Sequence, residues 1–350
     1  MPSEIAREGC PLPVHGLGET ILLAHGEGGR LLRRLLAERV LPALGLDGAA
    51  APDAAHLPLS STRLAFTTDS FVVSPLFFPG GDIGRLAVFG TGNDLLVSGA
   101  RPRWISLALI IEEGLELALL ERVLASVAAS AEVLGVRVVT GDIKVVPRGA
   151  ADRLFINTAG IGEVLEDPPP GPAALEIGDE ILVSGPIAQH GVAVMAAREE
   201  LGLSPAPRSE CASLGAAVDA LRAAGIPVRA MRDATRGGVA AVLHEWAAAC
   251  GHALSIVERR VPLADEIRGA CELLGLDPLH VANEGTMVVA VESGAGDAAL
   301  KALRSVAVSS GAASIGHVVP RQVSPVLVAR GLGRPCPLDE PLGAPLPRIC

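Results

Sequence analysis

The chain ends in Pro347-Arg348-Ile349-Cys350. A free thiol exposed on a protein is a liability unless it is used. A cysteine on the last residue therefore reads as a carrier or a nucleophile, and Arg348 lies on its side of an extended chain. Upstream, four aspartates interrupt apolar segments. They are Asp69 in Thr67-Thr68-Asp69-Ser70, Asp82 in Pro79-Gly80-Gly81-Asp82-Ile83-Gly84, Asp94 in Gly90-Thr91-Gly92-Asn93-Asp94-Leu95 and Asp142 in Thr140-Gly141-Asp142-Ile143-Lys144. Carboxylates gathered around one cleft repel unless a cation lies between them. Hard oxygen ligands of this kind suit Mg²⁺, with phosphate oxygens completing its shell. Taken singly, each aspartate also fits a helix cap or a turn.

Two glycine-rich turns precede helical segments, His25-Gly26-Glu27-Gly28-Gly29 and Asp233-Ala234-Thr235-Arg236-Gly237-Gly238. Free amides at a helix start attract anions. Only two of the 29 basic residues are lysines, Lys144 and Lys301. On a strand, Lys144 and Asp142 point to one face. A lysine can give up its proton when buried and an arginine cannot, so Lys144 is a candidate for proton handling or phosphate contact. Glu284 opens a strand in Ala282-Asn283-Glu284-Gly285-Thr286. The chain has no G-x-x-x-x-G-K-[ST] nucleotide loop, no H-E-x-x-H and no G-x-S-x-G elbow. Its six cysteines form no C-x-x-C pair, so a zinc ribbon or thioredoxin-type motif is not indicated.

These residues need rigid elements to hold them. A chain of 350 residues suggests two domains. With 49% hydrophobic and 19% charged residues it has ample core material. A net charge of −10 and 2% aromatics argue against nucleic acid as a partner. The apolar runs are too short for a membrane span and the start lacks signal-peptide character, so a cytoplasmic location is expected. Alternating strand and helix signals fill both halves, giving an α/β or α+β fold. Strands are expected at 63–73, 103–111, 136–146, 153–164, 180–184, 253–257, 286–292 and 314–319. The main helices are expected at 83–99, 116–134, 189–201, 213–224, 238–250, 264–274 and 296–308. Asp167-Pro168-Pro169-Pro170-Gly171-Pro172 is the linker. The division is an N-terminal domain over 1–166, a linker over 167–172, a C-terminal domain over 173–333 and a flexible tail over 334–350. The prolines and glycines after Gly331 argue against a hydrogen-bonded ladder there.

On these motifs, from Ala24-His25-Gly26-Glu27-Gly28-Gly29 to the terminal Pro347-Arg348-Ile349-Cys350, the chain resembles the HypE family of hydrogenase maturation proteins. That family lies within the PurM-like ATP-binding superfamily, with aminoimidazole ribonucleotide synthetase, selenophosphate synthetase and thiamine-monophosphate kinase. The terminal motif is the specific part. Ile143 stands where the family usually has Thr, which removes one hydroxyl beside Lys144.

The resemblance implies a two-domain PurM-like fold whose N-terminal domains pair into a β-barrel across a homodimer, with ATP at that interface. It implies an ATP-dependent carbamoyl dehydratase. A carbamoyltransferase partner of the HypF type loads a carbamoyl group on Cys350. The carbamoyl oxygen attacks the γ-phosphate, and loss of phosphate leaves a thiocyanate. The cyano group then passes to hydrogenase iron on a scaffold of the HypC–HypD type. Carried over residue by residue, Cys350, Lys144, Glu284 and Arg348 are the catalytic set. His25, Gly26, Gly28, Gly29, Asn93, Asp142, Thr235, Arg236, Gly237 and Gly238 bind ATP, and Asp69, Asp82, Asp94 and Asp142 hold Mg²⁺. The rivals are a selenophosphate-synthetase-like small-molecule kinase, which wants a lysine beside an N-terminal cysteine that Cys10 lacks, and a non-enzymatic ligand carrier.

Overall fold

A computed structural model describes residues 18–26, 30–46, 54–331 and 334–341. The first half begins with the short helices α1 (Arg30–Leu35) and α2 (Leu41–Ala43), joined by one wide helical turn over Leu36–Val40. Strand β1 (Leu64–Phe71) follows, then the small hairpin β2 (Phe77–Phe78) and β3 (Gly81–Asp82). Helix α3 (Ile83–Val97), strand β4 (Ala100–Glu112), helix α4 (Leu117–Leu134) and strands β5 (Arg137–Val146) and β6 (Leu154–Val164) complete the unit. The sheet runs β1-β6-β4-β5. Only β4 and β5 are parallel, because α4 carries the chain back between them.

Side chains alternate across this sheet. On β1 the exposed positions are Leu64, Phe66, Thr68 and Ser70, while Phe71 is buried on the opposite face. That opposite face packs against α3. Helix α3 is buried almost all round, which explains an apolar sequence without a polar stripe. Its far side meets the second domain, where it packs against the elements introduced next as α6 and β8.

The second half contains β7 (Glu180–Val183), α5 (Gln189–Arg198), α6 (Gly215–Ala223), β8 (Val228–Asp233), α7 (Gly238–Cys250), β9 (Ala253–Val257), α8 (Asp265–Leu274), β10 (Met287–Val291), α9 (Gly296–Arg304), β11 (Ala313–Val319), β12 (Val326–Arg330) and β13 (Arg334–Pro337). Its seven strands run β13-β12-β9-β11-β7-β10-β8. Every residue of β10 is buried. One face, through Val288 and Ala290, meets α7 and α8. The other, through Met287, Val289 and Val291, meets α6 and α9. A strand covered on both sides is a continuous apolar run.

Two expectations are corrected here. Strands β8, β12 and β13 are absent from the reading of the sequence, and residues 334–341 are not a free tail. β13 pairs with β12 from Arg330↔Arg334 to Leu327↔Pro337. It is an edge strand, so Pro335 and Pro337 face no second neighbour that needs their missing amides. The linker is packed as well: Pro168 closes on Gly99, and the Gly171 N–H donates to the Arg229 carbonyl at 2.9 Å.

Candidate active site

The inner face of the first sheet meets the second domain at a group of acids. Asp69 lies on β1 and Asp94 on α3. The Thr67 hydroxyl donates to Asp94 Oδ2 at 2.8 Å. Asp233 ends β8 and Glu284 lies just before β10; both are buried. Burial pushes the Asp94 carboxyl up, with Asp69 adding to the effect. Burial also pushes Asp233 up to about 7, and Asp94 adds to it. Glu284 is raised well above the usual carboxylate range, first by burial and then by Asp233, Glu210, Asp69 and Asp94. The nearby cations are Arg232 and Arg236. Arg236 Nη2 lies 3.6 Å from Asp69 Oδ1.

Main-chain contacts fix Glu284. Its N–H donates to Glu210 Oε1 at 2.8 Å. The next residue must be glycine, because a Cβ at Gly285 would lie 2.0 Å from the Glu210 carbonyl oxygen. Glu210 is itself pushed up to about 7 by burial, and its Oε2 has no partner. Neither Asp233 nor Glu210 is among the residues the sequence reading assigned to the site. Asp233 had a signal, since it opens the Asp233–Gly238 turn. Glu210 had none, being one acid in an irregular stretch.

Several expected residues have other work. Asp82 caps α3: its Oδ1 accepts from Gly84 N at 2.8 Å and Arg85 N at 3.1 Å, and its Oδ2 accepts from Ser126 Oγ at 2.7 Å. An N-cap carboxylate satisfies helix amides that have no intrahelical acceptor, so Asp82 does the capping work that the sequence offers as the alternative to a metal role. Asn93 also has structural work. It is buried, its Nδ2 donates to the Ala212 carbonyl at 3.0 Å and its Oδ1 accepts from Leu214 N at 2.9 Å. Its amide joins the two domains.

The Thr235–Gly238 turn leads into α7, whose first turn has no side-chain cap. Gly238 has φ +61°, and a Cβ there would meet the Leu279 carbonyl at 2.5 Å. His25 is buried, and burial lowers its pKa. Its Nδ1 accepts from Leu22 N at 3.0 Å, so the proton sits on Nε2. That atom is buried without a partner. Gly26 packs against Val145 of β5. Gly28, Gly29, Arg348 and Cys350 lie outside the described residues.

Lys144 and Asp142 pair at 3.0 Å on the outer face of β5, with side chains 64% and 62% exposed. The sequence places them together on one face, and they are so placed. The lysine is not buried within one chain. Nor does it meet Glu284 there, since β5 and β1 are opposite edges of the sheet and Asp142 and Lys144 face away from the side that carries Asp69.

The donors fit Mg²⁺ with a polyphosphate. Among the described residues no group of three or more His, Cys, Asp or Glu is arranged to hold a metal alone. Mg²⁺ characteristically takes one or two carboxylates, several waters and substrate phosphates. Asp69 and Asp94 supply such a pair, and the uncapped start of α7 is a donor suited to an anion; the orphaned His25 Nε2–H lies at the opposite, β5 edge of the sheet.

Two domain families match the chain: AIR synthase related protein, N-terminal domain, over residues 51–164, and its C-terminal domain over residues 176–328. Carbamoyl dehydratase HypE of Escherichia coli K12 is 47% identical over 337 residues, covering 94% of this chain and 99% of that protein. The chain belongs to the HypE family. A HypE crystal structure in complex with ATP matches with a TM-score of 0.88 at 42% identity, over 94% of this chain and 99% of that one. HypE from a HypE–HypF complex matches with a TM-score of 0.77 at 42% identity, over 81% and 92%. The two-domain PurM-like fold expected from the sequence is thus the fold of the family.

Proposed function

We propose that this HypE-family chain is an ATP-dependent carbamoyl dehydratase that turns the S-carbamoyl group on its own Cys350 into a thiocyanate, the source of the cyanide ligand of hydrogenase iron. The observation that carries the reading is the likeness to carbamoyl dehydratase HypE over 94% of the chain, with Cys350 in Pro347-Arg348-Ile349-Cys350 as the carrier candidate. A HypF-type carbamoyltransferase loads the thiol, and a HypC–HypD-type scaffold accepts the product.

Phosphoryl transfer asks mainly for positioning and charge neutralisation. Asp69 and Asp94 hold Mg²⁺, which neutralises the phosphates when bound. The free amides at the start of α7 orient the nucleotide from one copy and His25 Nε2, at the β5 edge, from the other, and Arg236 balances Asp69. The carbamoyl oxygen attacks the γ-phosphorus and ADP leaves. The nitrogen gives up one of its two protons to solvent as the oxygen is phosphorylated; as phosphate then departs with that oxygen, the nitrogen loses the second and the carbon–nitrogen triple bond forms. Glu284 takes a proton from this nitrogen. Burial among other acids raises its proton affinity, and a stronger base takes a proton more readily. Lys144 stabilises negative charge on the transferred group, and Arg348 guides the arm into an acidic cleft.

Lys144 reaches that group from a second copy. The sheet has two unpaired edges, β1 and β5. It also has an outer face that leaves Phe66 69% and Ile110 41% exposed. Joining β5 of one copy to β1 of another closes eight strands, hides both edges and buries that face. The β5 strand of one copy, with Asp142 and Lys144 on its outer face, then runs alongside the β1 strand of the other, which carries Asp69 on its inner face, so that Lys144 has to reach past the shared edge to meet the site. A heavy-oxygen label in the carbamoyl group tests the chemistry: it must emerge in inorganic phosphate, and label retained on the peptide would contradict the reaction.

A further inference from the structure

After β13 the chain is held by two histidines. The Leu338 N–H donates to the Val326 carbonyl at 3.0 Å, and the Leu338 side chain is buried. The Leu338 carbonyl accepts from His244 Nε2 at 3.0 Å, from inside α7. The Asp339 carbonyl accepts from His280 Nε2 at 2.9 Å. A carbonyl only accepts, so both rings carry their proton on Nε2. The other ring nitrogen of His280, Nδ1, lies 3.7 Å from Asp277 Oδ2. Asp277 also pairs with Arg330 at the end of β12, and Arg330 with Glu258. Two residues further on, Pro341 lies against Gly237 in the Thr235–Gly238 turn: a Cβ on that glycine would be 3.5 Å from the proline ring.

We infer that His244 and His280 form a clasp on the main chain that fixes the root of the C-terminal arm beside the Thr235–Gly238 turn, so that Cys350 is delivered to the nucleotide site of the same cleft. The inference rests on the reading of Cys350 as the carbamoyl carrier. Both histidines are positioning residues, acting through the chain they hold. Nine residues follow Pro341, a reach of up to roughly 30 Å at about 3.4 Å per residue. Released from the clasp, the free arm starts at Pro337 or, with β13 detached, at Arg330, which leaves 13 or 20 residues. Effective concentration falls with about the −3/2 power of linker length. The longer arm therefore presents its thiol to the site about two- to threefold less often.

The test compares the reaction in cis and in trans. In cis, the full-length chain carbamoylated on Cys350 is mixed with Mg²⁺-ATP and single-turnover loss of water is timed. In trans, full-length Cys350→Ala chain receives a carbamoylated synthetic peptide of residues 342–350. The pair His244→Ala/His280→Ala should slow the cis reaction about two- to threefold and leave the trans rate unchanged. The pair His244→Gln/His280→Gln, which keeps an N–H donor, should restore the cis rate. An unchanged cis rate in the alanine pair would overturn the clasp. Equal slowing in trans would overturn it too, since it would show a damaged site rather than a misplaced arm. Wild-type chain that never forms thiocyanate would overturn the carrier reading on which the clasp rests.

Discussion

Glu210 holds Glu284 by its main chain: the carboxylate of one accepts the N–H of the other at 2.8 Å. Glu210 is half-buried and keeps one sunken carboxyl oxygen unpartnered, which is costly unless that grip matters. Without it the Glu284 main chain is free to shift, and each 1.36 kcal/mol of transition-state stabilisation lost through a displaced base is about tenfold in rate. Glu210→Ala should therefore cut single-turnover dehydration about tenfold or more with ATP affinity kept, and Glu210→Gln, which retains an acceptor, should recover most of the rate. Stopped-time kinetics beside ATP titration calorimetry distinguish the two.

Asp233 gives the ligand-free chain a pH-dependent stability. Its folded pKa, about 7, is raised above the ordinary value of 3.8. A raised acid contributes stability that is complete below the unfolded pKa and lost as pH rises through the folded one. Glu284 and Glu210 are raised in the same direction. Melting temperature should thus fall between pH 4 and pH 8, in the span set by those two values for Asp233. Asp233→Asn should flatten the fall and raise stability at pH 8 by roughly 2–4 kcal/mol. Denaturant melts at both ends of the range measure it.

The shared site makes a stoichiometric demand. Lys144→Ala and Glu284→Gln chains should each be inactive alone. Unfolded together and refolded as a mixture, they should regain about one quarter of wild-type activity, since half the dimers are hybrids and each hybrid has one intact site. No recovery in a mixture shown to contain hybrids would place Lys144 and Glu284 in one chain's site.

Much of this was legible in the sequence because local patterns carried it. Helix α7 begins and ends where its periodicity and its flanking Gly237 and Gly251 place it. The pairing of Asp142 with Lys144 follows from strand alternation alone. What stayed hidden depended on tertiary partners. Whether an aspartate caps a helix or faces a cleft is invisible locally, so Asp82 and Asp94 look alike in sequence but diverge in the fold. Asn93 looks like a ligand until Ala212 and Leu214 arrive from the other domain. The proline-rich stretch after Gly331 reads as unstructured, yet β12 offers an edge that prolines can join. The exposure of Lys144 is a property of one chain; in the proposed dimer a second copy covers that face.

The central claim is that Cys350 carries the group being dehydrated. Mass spectrometry of the C-terminal peptide, after loading by a HypF-type enzyme and addition of Mg²⁺-ATP, tests it most directly. The peptide should lose one water from its carbamoyl adduct, only with hydrolysable ATP, and a Cys350→Ala chain that still binds ATP should give no adduct at all. A carbamoyl adduct that persists unchanged while ATP is consumed would contradict the account.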